Sequence, residues 1–504
     1  MRSTRQWVLL LVFLITSVLT RFILIGVDVI DLDEAANLVG GREFLRGRLL
    51  YTDFAENKPP LIYLFYSFAQ LLGRSMLPVR LLTALVVVPW TAYAASAFYR
   101  HDRRGVIAGF LFLVSSASFL GHDMLSTNCE ILMILPGTWG LVMLRDETAA
   151  QNPFRCFAAG FLMGIAALFK YQSVFWLAAL GVGIFFGNRG AWKGLFSRFV
   201  ILAIAFAVPL LATYWLFAAW GGADGLLYWT ISHNLVYTAN PIPLQEAVGR
   251  AGANLLPFLL ATAGLWWCCN KSMPHFRSTY RKRMLFWLLI LSIPPMFLGL
   301  RFFPHYFIQL YIPLALCAAP AAVDLLQKPL TKRAKIWIGY TALILVGFTA
   351  ANGILYRFSS IYQETDPIYR KVAERLRQDR CYGNSTLFVW GFAPMFYYYA
   401  DRPIASRFVV PQTSLTGYIS GNLASVSGKI ETSHLIRSDH WDLLLDDLQR
   451  NQATYMIDTA PAHLYRWHHY PIEKFPRLAK LIRENYEQLD HMDGVVLYRR
   501  RDCM

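Results

Sequence analysis

Long apolar segments, separated by short loops rich in Arg and Lys, constrain the fold of this chain more than any other feature. Of its 504 residues, 56% are hydrophobic and 16% are charged, whereas a typical soluble domain carries about 25% charged residues. A run of about 20 apolar residues crosses a bilayer as an α-helix. The sequence therefore predicts a polytopic α-helical membrane protein with about 11 (11–13) transmembrane helices.

The predicted transmembrane helices begin near the N-terminus and continue to residue 355. They cover residues 7–27, 78–99, 105–121, 129–144, 155–169, 173–187, 198–220, 252–269, 284–300, 306–326 and 335–355. The first segment is too long for the apolar core of a signal peptide, and no small-residue cleavage site follows it, so we expect it to be retained. Residues 60–73 are apolar but too short to cross, which predicts an interfacial helix in the first outer loop.

Basic residues predict the orientation of these helices. Arg and Lys recur in every second loop, for example at Arg103, Arg155 and Arg281, and loops of this kind stay cytoplasmic under the positive-inside rule. Residues 28–77, and everything after residue 355, are then on the outer face. The same basic loops account for the net charge of +16, so we expect no nucleic-acid partner.

The chain divides into two predicted domains, a transmembrane domain of residues 1–355 and an outer-face domain of residues 356–504. The second is less apolar and contains the strand-like runs "STLFVWG", "ATYMIDTA" and "GVVLYRR". Between them are the helical patterns "DHWDLLLDDLQRNQ" and "FPRLAKLIRENYEQL". This alternation predicts a small C-terminal α/β domain. It carries no glycine-rich nucleotide-binding motif.

The seven cysteines show no metal-ligand spacing and predict no disulfide framework. Cys381 and Cys503 both fall in the predicted outer-face domain. They can pair if that face is oxidising, and the sequence leaves this open.

Charged residues gather at the outer ends of several predicted helices. They are Asp31, Asp33, Glu34, Lys58, Asp123, Glu130, Lys170, Arg301 and His305. Each has a structural alternative: the acids can cap helices, and the bases can anchor side chains at the membrane interface. Ionisable groups in such places are costly unless they are solvated, paired or functional. Their position on one face favours a site for an anionic substrate held in the membrane.

Three motifs resemble one glycosyltransferase superfamily. "DLDEAANLVGGREFLRGRLLYTDFAENKPPLIYLFY" resembles the first-loop signature of the dolichyl-phosphate-mannose protein mannosyltransferases (glycosyltransferase family 39, C-type superfamily), which are related to bacterial lipid A aminoarabinose transferases. The matching positions are Asp33-Glu34, Gly47, Tyr51-Thr52-Asp53 and Lys58-Pro59-Pro60. "STNCEILMILP" and "RFFPHYFIQLYIPLAL" are similar to the Asn-x-Glu and Pro-His-Tyr-Phe-x-Gln elements of bacterial members. The resemblance covers roughly the first 330 residues.

The resemblance implies an inverting membrane glycosyltransferase with residues 28–77 as its catalytic loop. It implies transfer of a monosaccharide from a polyprenyl-phosphate donor to a lipid, glycan or protein acceptor of the cell envelope, at the periplasmic face of a bacterial inner membrane. Asp33 would be the catalytic base, supported by Glu34. Lys58 and Arg301 would stabilise the leaving lipid phosphate, with Lys170 and His305 as further candidates.

Some assignments stay open at this point. Asp123 and Glu130 compete for the role of second acidic residue, and the motif favours Glu130. The resemblance implies no cofactor, and a divalent metal is compatible with it without being required. The alternative function is a transporter or flippase of a lipid-linked anion, which predicts internal repeats. No repeat is evident between residues 1–170 and 171–355. A ligase that uses pyrophosphate-linked glycans also remains open.

Overall fold

The computed structural model describes residues 2–118, 123–187, 192–273, 279–327, 329, 331–358, 367–427 and 430–503. Seven helices in these ranges are long and apolar enough to cross a membrane: Thr4–Leu24, Leu77–Phe98, Phe196–Ala219, Leu244–Ser272, Tyr280–Leu300, Pro304–Gln327 and Lys332–Leu355. Shorter apolar helices are Leu61–Leu72, Cys129–Met143, Pro153–Ala167 and Tyr171–Phe185. The chain is therefore mostly helical and has the composition of a multi-pass membrane protein.

The individual α-helices of the first 358 residues follow the apolar pattern closely. They are Arg2–Arg21, Leu32–Leu45, Leu61–Leu72, Leu77–Leu82, Val88–Phe98, Arg103–Ser115, Cys129–Met143, Glu147–Gln151, Pro153–Ala167, Val174–Gly187, Trp192–Ala219, Ala223–Leu227, His233–Ala239, Leu244–Arg250, Leu256–Ser272, Tyr280–Leu291, Ile308–Gln327 and Lys332–Phe358. Every predicted transmembrane segment overlaps at least one of them. The number that crosses the membrane stays a prediction.

Polar side chains mark where loops end and helices begin. Asp31 caps the helix Leu32–Leu45, its carboxylate accepting a hydrogen bond of 2.8 Å from the backbone N–H of Glu34. Asn152 caps the helix Pro153–Ala167, which starts with proline at its first position. Such caps satisfy N–H groups that have no partner within the helix.

Residues 28–77, called the first outer loop after their predicted position, contain two helices, Leu32–Leu45 and Leu61–Leu72, which pack closely against each other. Gly41 permits this contact, because a Cβ atom there would lie 2.8 Å from the backbone nitrogen of Ser67. Gly47, with φ +84°, supplies the left-handed turn after the first of these helices. The loop is thus a packed structure with a fixed shape.

The C-terminal region contains a four-stranded sheet flanked by helices. The strands are β1 (Leu387–Trp390), β2 (Tyr455–Asp458), β3 (Tyr486–Met492) and β4 (Val495–Arg500), in the order β1-β2-β4-β3. β1 pairs with β2 in parallel, Leu387 opposite Tyr455, and the other pairs are antiparallel. The α-helices are Pro367–Arg377, Met395–Ala400, Thr413–Thr416, Leu423–Val426, Ser438–Arg450 and Pro476–Asn485.

The last helix of the C-terminal region is shorter than its sequence pattern predicts. The predicted helix of residues 475–489 ends at Asn485, and Tyr486 begins β3. A tight turn at Asp493 and Gly494, both with positive φ, folds β3 onto β4. The pairing with β4 therefore overrides the local helical pattern.

The C-terminal region packs directly against the first outer loop. The backbone N–H of Ala55 donates a 2.8 Å hydrogen bond to the carbonyl of Arg407, and the Tyr398 hydroxyl donates one of 2.6 Å to Asp28. A disulfide joins Cys381 to Cys503 with a Cα–Cα distance of 6.1 Å, within the usual range. The division into domains after residue 355 stays a prediction.

Candidate active site

A cavity of about 500 Å³ lies where the first outer loop, the ends of several helices and the C-terminal region meet. It is lined by Asp31, Leu32, Asp33, Asn57, Lys58, Pro59, Asp123, Lys170, Tyr171, Gln172, Asn234, Tyr237, Thr238, Asn254, Leu298, Phe303, Pro304, His305, Tyr306, Phe392 and Ser420. Five of the predicted site residues are on this wall: Asp33, Lys58, Asp123, Lys170 and His305. The cavity is large enough for a small-molecule group.

Asp33 and Lys58 form an ion pair at the cavity wall. Asp33 is in the first turn of the helix Leu32–Leu45, and Lys58 precedes Pro59 and Pro60. The Lys58 Nζ lies 2.9 Å from the Asp33 Oδ1, with the Asp33 side chain 42% exposed and that of Lys58 14% exposed. The lysine is therefore set in the wall, whereas the carboxylate remains accessible from the cavity.

The electrostatic surroundings keep both groups of this pair charged. Burial alone would raise the pKa of Asp33, but the positive charges of Lys58 and His305 hold that pKa below its usual value. Burial would likewise lower the pKa of Lys58, but Asp33 and Glu56 raise it. A carboxylate in this setting is a base that stays ionised at neutral pH.

Asp31 has the opposite character, although it is two residues from Asp33. Its burial, together with the nearby carboxylates of Glu34, Asp33 and Asp123, raises its pKa well above the usual value. Asp31 Oδ2 accepts a hydrogen bond of 3.0 Å from the Asn128 side chain. The cavity thus contains one acid that favours the protonated form beside one that favours the ionised form.

Lys170 pairs with Glu130 on another side of the cavity. The Lys170 Nζ lies 2.7 Å from the Glu130 Oε1 and 5.0 Å from the centre of the Tyr306 ring. Glu130 is fully buried and is not on the cavity wall. The acid therefore contacts the cavity through the lysine.

His305 forms a hydrogen bond through Nδ1 with the Asp123 carboxylate, and both residues line the cavity. Its Nε2 is 4.0 Å from Glu130 Oε1. The second Asp123 oxygen is buried and has no hydrogen-bond partner among the residues that the structure describes. The two competing acids thus occupy different places, Asp123 on the wall and Glu130 behind Lys170.

Glu34 is not on the cavity wall. It is fully buried and forms a bidentate ion pair with Arg80. It also accepts hydrogen bonds from the backbone N–H groups of Ile30, at 2.9 Å, and Thr127, at 2.6 Å. None of these partners lines the cavity, and Glu34 connects the first outer loop to the segment before the helix Cys129–Met143.

Arg301 is also buried outside the cavity wall. Its guanidinium donates to the backbone carbonyls of Ser420 and Asn240, both at 3.1 Å, and lies 3.6 Å above the Tyr237 ring. Both Ser420 and Tyr237 line the cavity. Arg301 therefore holds together two segments of the wall instead of facing the cavity.

Uncharged polar side chains that sequence reasoning missed complete the cavity. They include Asn57, Tyr171, Gln172, Asn234, Asn254 and Ser420. The Asn234 amide donates a 2.7 Å hydrogen bond to the carbonyl of Asn57, which precedes Lys58. These residues come from distant parts of the chain and share no motif. Of them, only Asn57 and Ser420 lie in the regions that the sequence analysis places on the outer face.

No group of three or more His, Cys, Asp or Glu side chains that could hold a metal ion occurs within the described ranges of the chain. Six of the eight predicted site residues instead form three acid–base pairs, Asp33–Lys58, Glu130–Lys170 and Asp123–His305. These pairs consist of one carboxylate and one nitrogen base each.

No protein-family model and no curated protein matches the chain. Solved structures, in contrast, do match the chain. The structure of ArnT from Cupriavidus metallidurans bound to undecaprenyl phosphate is similar, with a TM-score of 0.60 and 13% identity over 98% of this chain and 97% of that one.

A second similar structure is that of the archaeal oligosaccharyltransferase AglB from Archaeoglobus fulgidus, in complex with an inhibitory peptide and a dolichol-phosphate. The TM-score is 0.52 at 13% identity, over 99% of this chain and 75% of that one. The chain therefore shares its overall fold with these two structures. The resemblance found in the sequence motifs is thereby confirmed at the level of the fold.

Proposed function

We propose that this protein is a membrane glycosyltransferase that uses a polyprenyl-phosphate-linked sugar and transfers the monosaccharide to an acceptor of the cell envelope. The observation that carries the proposal is the Asp33–Lys58 pair, accessible from a cavity of about 500 Å³, in a chain whose fold is similar to that of ArnT. ArnT itself was crystallised with undecaprenyl phosphate. A base beside a fixed positive charge suits transfer of a sugar away from a phosphate.

In the proposed reaction the acceptor hydroxyl attacks the anomeric carbon of the donor sugar. Asp33 takes the hydroxyl proton as the new carbon–oxygen bond forms. The bond between the anomeric carbon and the phosphate oxygen breaks, and its electron pair leaves with the polyprenyl phosphate. Attack from the opposite side inverts the anomeric configuration, and no covalent enzyme intermediate is needed.

Lys58 is proposed to bind the leaving phosphate. In the resting pair its ammonium is 2.9 Å from Asp33, and a bound phosphate would compete with the carboxylate for that ammonium. Donor binding would thereby release Asp33 for the acceptor hydroxyl. Lys170, also on the wall, adds a second positive charge for the phosphate.

The remaining predicted site residues are given supporting roles. Asp123 orients His305 through Nδ1, and Glu130 orients Lys170, so the two competing acids each position one base. Glu34 and Arg301 are proposed as positioning residues, because their polar atoms are occupied by protein partners and neither side chain lines the cavity.

The proposed location is the periplasmic face of a bacterial inner membrane. The basic loops support that orientation, and the Cys381–Cys503 disulfide is typical of an oxidising compartment. Residues 356–504 are proposed to form an outer-face domain that shapes the acceptor side, since Phe392 and Ser420 line the cavity. The acceptor is a lipid, glycan or protein.

The test is a transfer assay with purified protein in nanodiscs. The donors are short-chain polyprenyl-phosphate monosaccharides, and released polyprenyl phosphate is measured. A parallel series with pyrophosphate-linked glycans distinguishes a ligase, and transbilayer movement of the same lipids distinguishes a flippase. Release from a monosaccharide phosphate supports the proposal. Release only from pyrophosphate donors, or lipid movement without release, contradicts it.

A further inference from the structure

A second cavity, of about 870 Å³, opens between the helices Arg2–Arg21, Arg103–Ser115 and Lys332–Phe358. It shares no lining residue with the candidate active site. Its wall is almost entirely apolar, with side chains such as Ile23 and Val346. The helix Lys332–Leu355 forms one side of this groove, and only 6% of the residues in its apolar stretch are buried. The groove therefore faces the side of the molecule where membrane lipid would lie.

Arg21 lies directly behind Thr20, one of the residues that line this groove. It is the last residue of its helix and is only 5% exposed. Its guanidinium donates to the hydroxyls of Ser116, at 2.9 Å, and Thr20, at 3.3 Å. Among the residues that the structure describes, no carboxylate forms an ion pair with it. A buried cation without a counter-ion is costly, and in a membrane protein it marks a site for an anion.

The neighbours of Arg21 connect it to the groove. Thr20 and Ile25 both line the groove, and Arg21 lines an adjoining space of about 10 Å³ that shares Ile25 with it. Arg80 lines the same small space, but its charge is compensated by Glu34. Arg21 therefore supplies an uncompensated positive charge beside the apolar groove, behind its lining residues Thr20 and Ile25.

We infer that the groove binds an anionic phospholipid of the surrounding membrane. Its acyl chains occupy the apolar groove, and its phosphate accepts hydrogen bonds from Arg21 in place of the Ser116 hydroxyl. The chemistry matches on both counts, because the groove offers apolar volume and the guanidinium matches phosphate geometry. This lipid site is separate from the proposed donor site and does not depend on the proposed function.

The test measures lipid binding to the full-length protein in detergent, by native mass spectrometry and by thermal stabilisation. The probes are phosphatidylglycerol, phosphatidylcholine and inorganic phosphate. The variant Arg21→Gln removes the charge, and Arg5→Gln is the matched control, because Arg5 is an exposed arginine of the same helix. Gly353→Leu fills the groove, since a Cβ atom there would face Ile23 at 3.4 Å.

We expect wild type and Arg5→Gln to bind phosphatidylglycerol in preference to phosphatidylcholine. Arg21→Gln should bind phosphatidylglycerol about tenfold more weakly, the effect of losing a charged hydrogen bond, and Gly353→Leu should also bind it more weakly. Equal affinity of wild type and Arg21→Gln overturns the inference, as does displacement of the lipid by inorganic phosphate. If Arg21→Gln does not fold, Gly353→Leu decides: unchanged phosphatidylglycerol binding by that variant overturns the inference.

Discussion

Two adjacent acids, Asp33 and Glu34, lie in the first turn of one helix and have different partners. Glu34 is fully buried, and both its oxygens are occupied by Arg80 and by backbone N–H groups. Asp33 is 42% exposed and pairs with Lys58 at the cavity wall. A carboxylate whose hydrogen-bonding positions are all occupied by protein groups, such as Glu34, stabilises the fold. A carboxylate with an accessible oxygen, such as Asp33, is available to a substrate.

The largest effect in this comparison is expected on stability, from Glu34→Gln. This substitution leaves Arg80 buried without its counter-ion, which should cost about 3–5 kcal/mol of unfolding free energy. Asp33→Asn, its neighbour, should cost less than about 1 kcal/mol, because its side chain is partly solvated. Thermal unfolding in detergent compares the two variants. Equal losses of stability would contradict the distinction between the two acids.

The next effect is expected on catalysis, from Lys58→Met. Removing a positive charge from the leaving phosphate should lower the transfer rate about 10²–10³-fold, with a much smaller change in stability than Glu34→Gln. Single-turnover transfer measures it. The matched control is Lys371→Met, because Lys371 is half-exposed and pairs with Asp493 in the C-terminal region. A rate for Lys58→Met within twofold of the control would remove Lys58 from the phosphate site.

The pH dependence of the transfer rate tests how Lys58 and His305 affect the pKa of Asp33. The pKa of Asp33 is below its usual value because burial is outweighed by Lys58 and His305, so the base stays ionised throughout the neutral and mildly acidic range. The stability from the Asp33–Lys58 pair follows the same sign: it is present above the usual carboxyl pKa and is lost as the pH falls through the lowered one.

The transfer rate should therefore show no loss from Asp33 protonation between about pH 7 and pH 5. In Lys58→Met the charge of His305 remains but that of Lys58 is lost, so burial raises the pKa of Asp33 relative to wild type, and the acidic limb should move to higher pH. The rates are compared in buffers of equal ionic strength. An acidic limb at the same pH in both proteins would show that Lys58 does not set the pKa of the base.

The smallest effect is expected at a solvent-exposed pair. Arg74 is 80% exposed and lies 3.0 Å from Asp401. Arg74→Gln should change the unfolding free energy by less than about 0.5 kcal/mol, because water screens the pair and Asp401 also contacts Arg42 and Arg46. Thermal unfolding against wild type is sufficient. A loss comparable to that of Glu34→Gln would mean that burial does not separate these pairs.

The sequence predicted which charged residues lie near the cavity, but it did not predict which of them face the cavity and which are buried behind its wall. Asp33 and Lys58 belong to one short motif, and the resemblance of that motif to a glycosyltransferase superfamily indicated that both are site residues. Adjacent helical residues point about 100° apart, and which of Asp33 and Glu34 faces the cavity depends on Arg80, 46 positions away from Glu34. Arg301 likewise meets carbonyls from distant segments.

The sequence likewise predicted only part of the fold. Hydropathy predicted where the helices lie, because burial in a bilayer requires long apolar runs. It did not predict β3, whose residues continue a helical pattern until they pair with β4. Nor did it predict the uncharged part of the cavity wall, where Asn57, Asn234 and Ser420 meet only after folding.

The most direct test of the account compares Asp33→Asn with Asp224→Asn, an exposed acid in the nearby helix Ala223–Leu227. Transfer from the active donor and binding of fluorescent polyprenyl phosphate are measured on the same nanodisc preparations. We expect Asp33→Asn to lose about 10²–10⁴-fold in transfer rate and still to bind the lipid. Asp224→Asn should match wild type in transfer rate and in lipid binding. Transfer by Asp33→Asn at the rate of Asp224→Asn would contradict its role as the base.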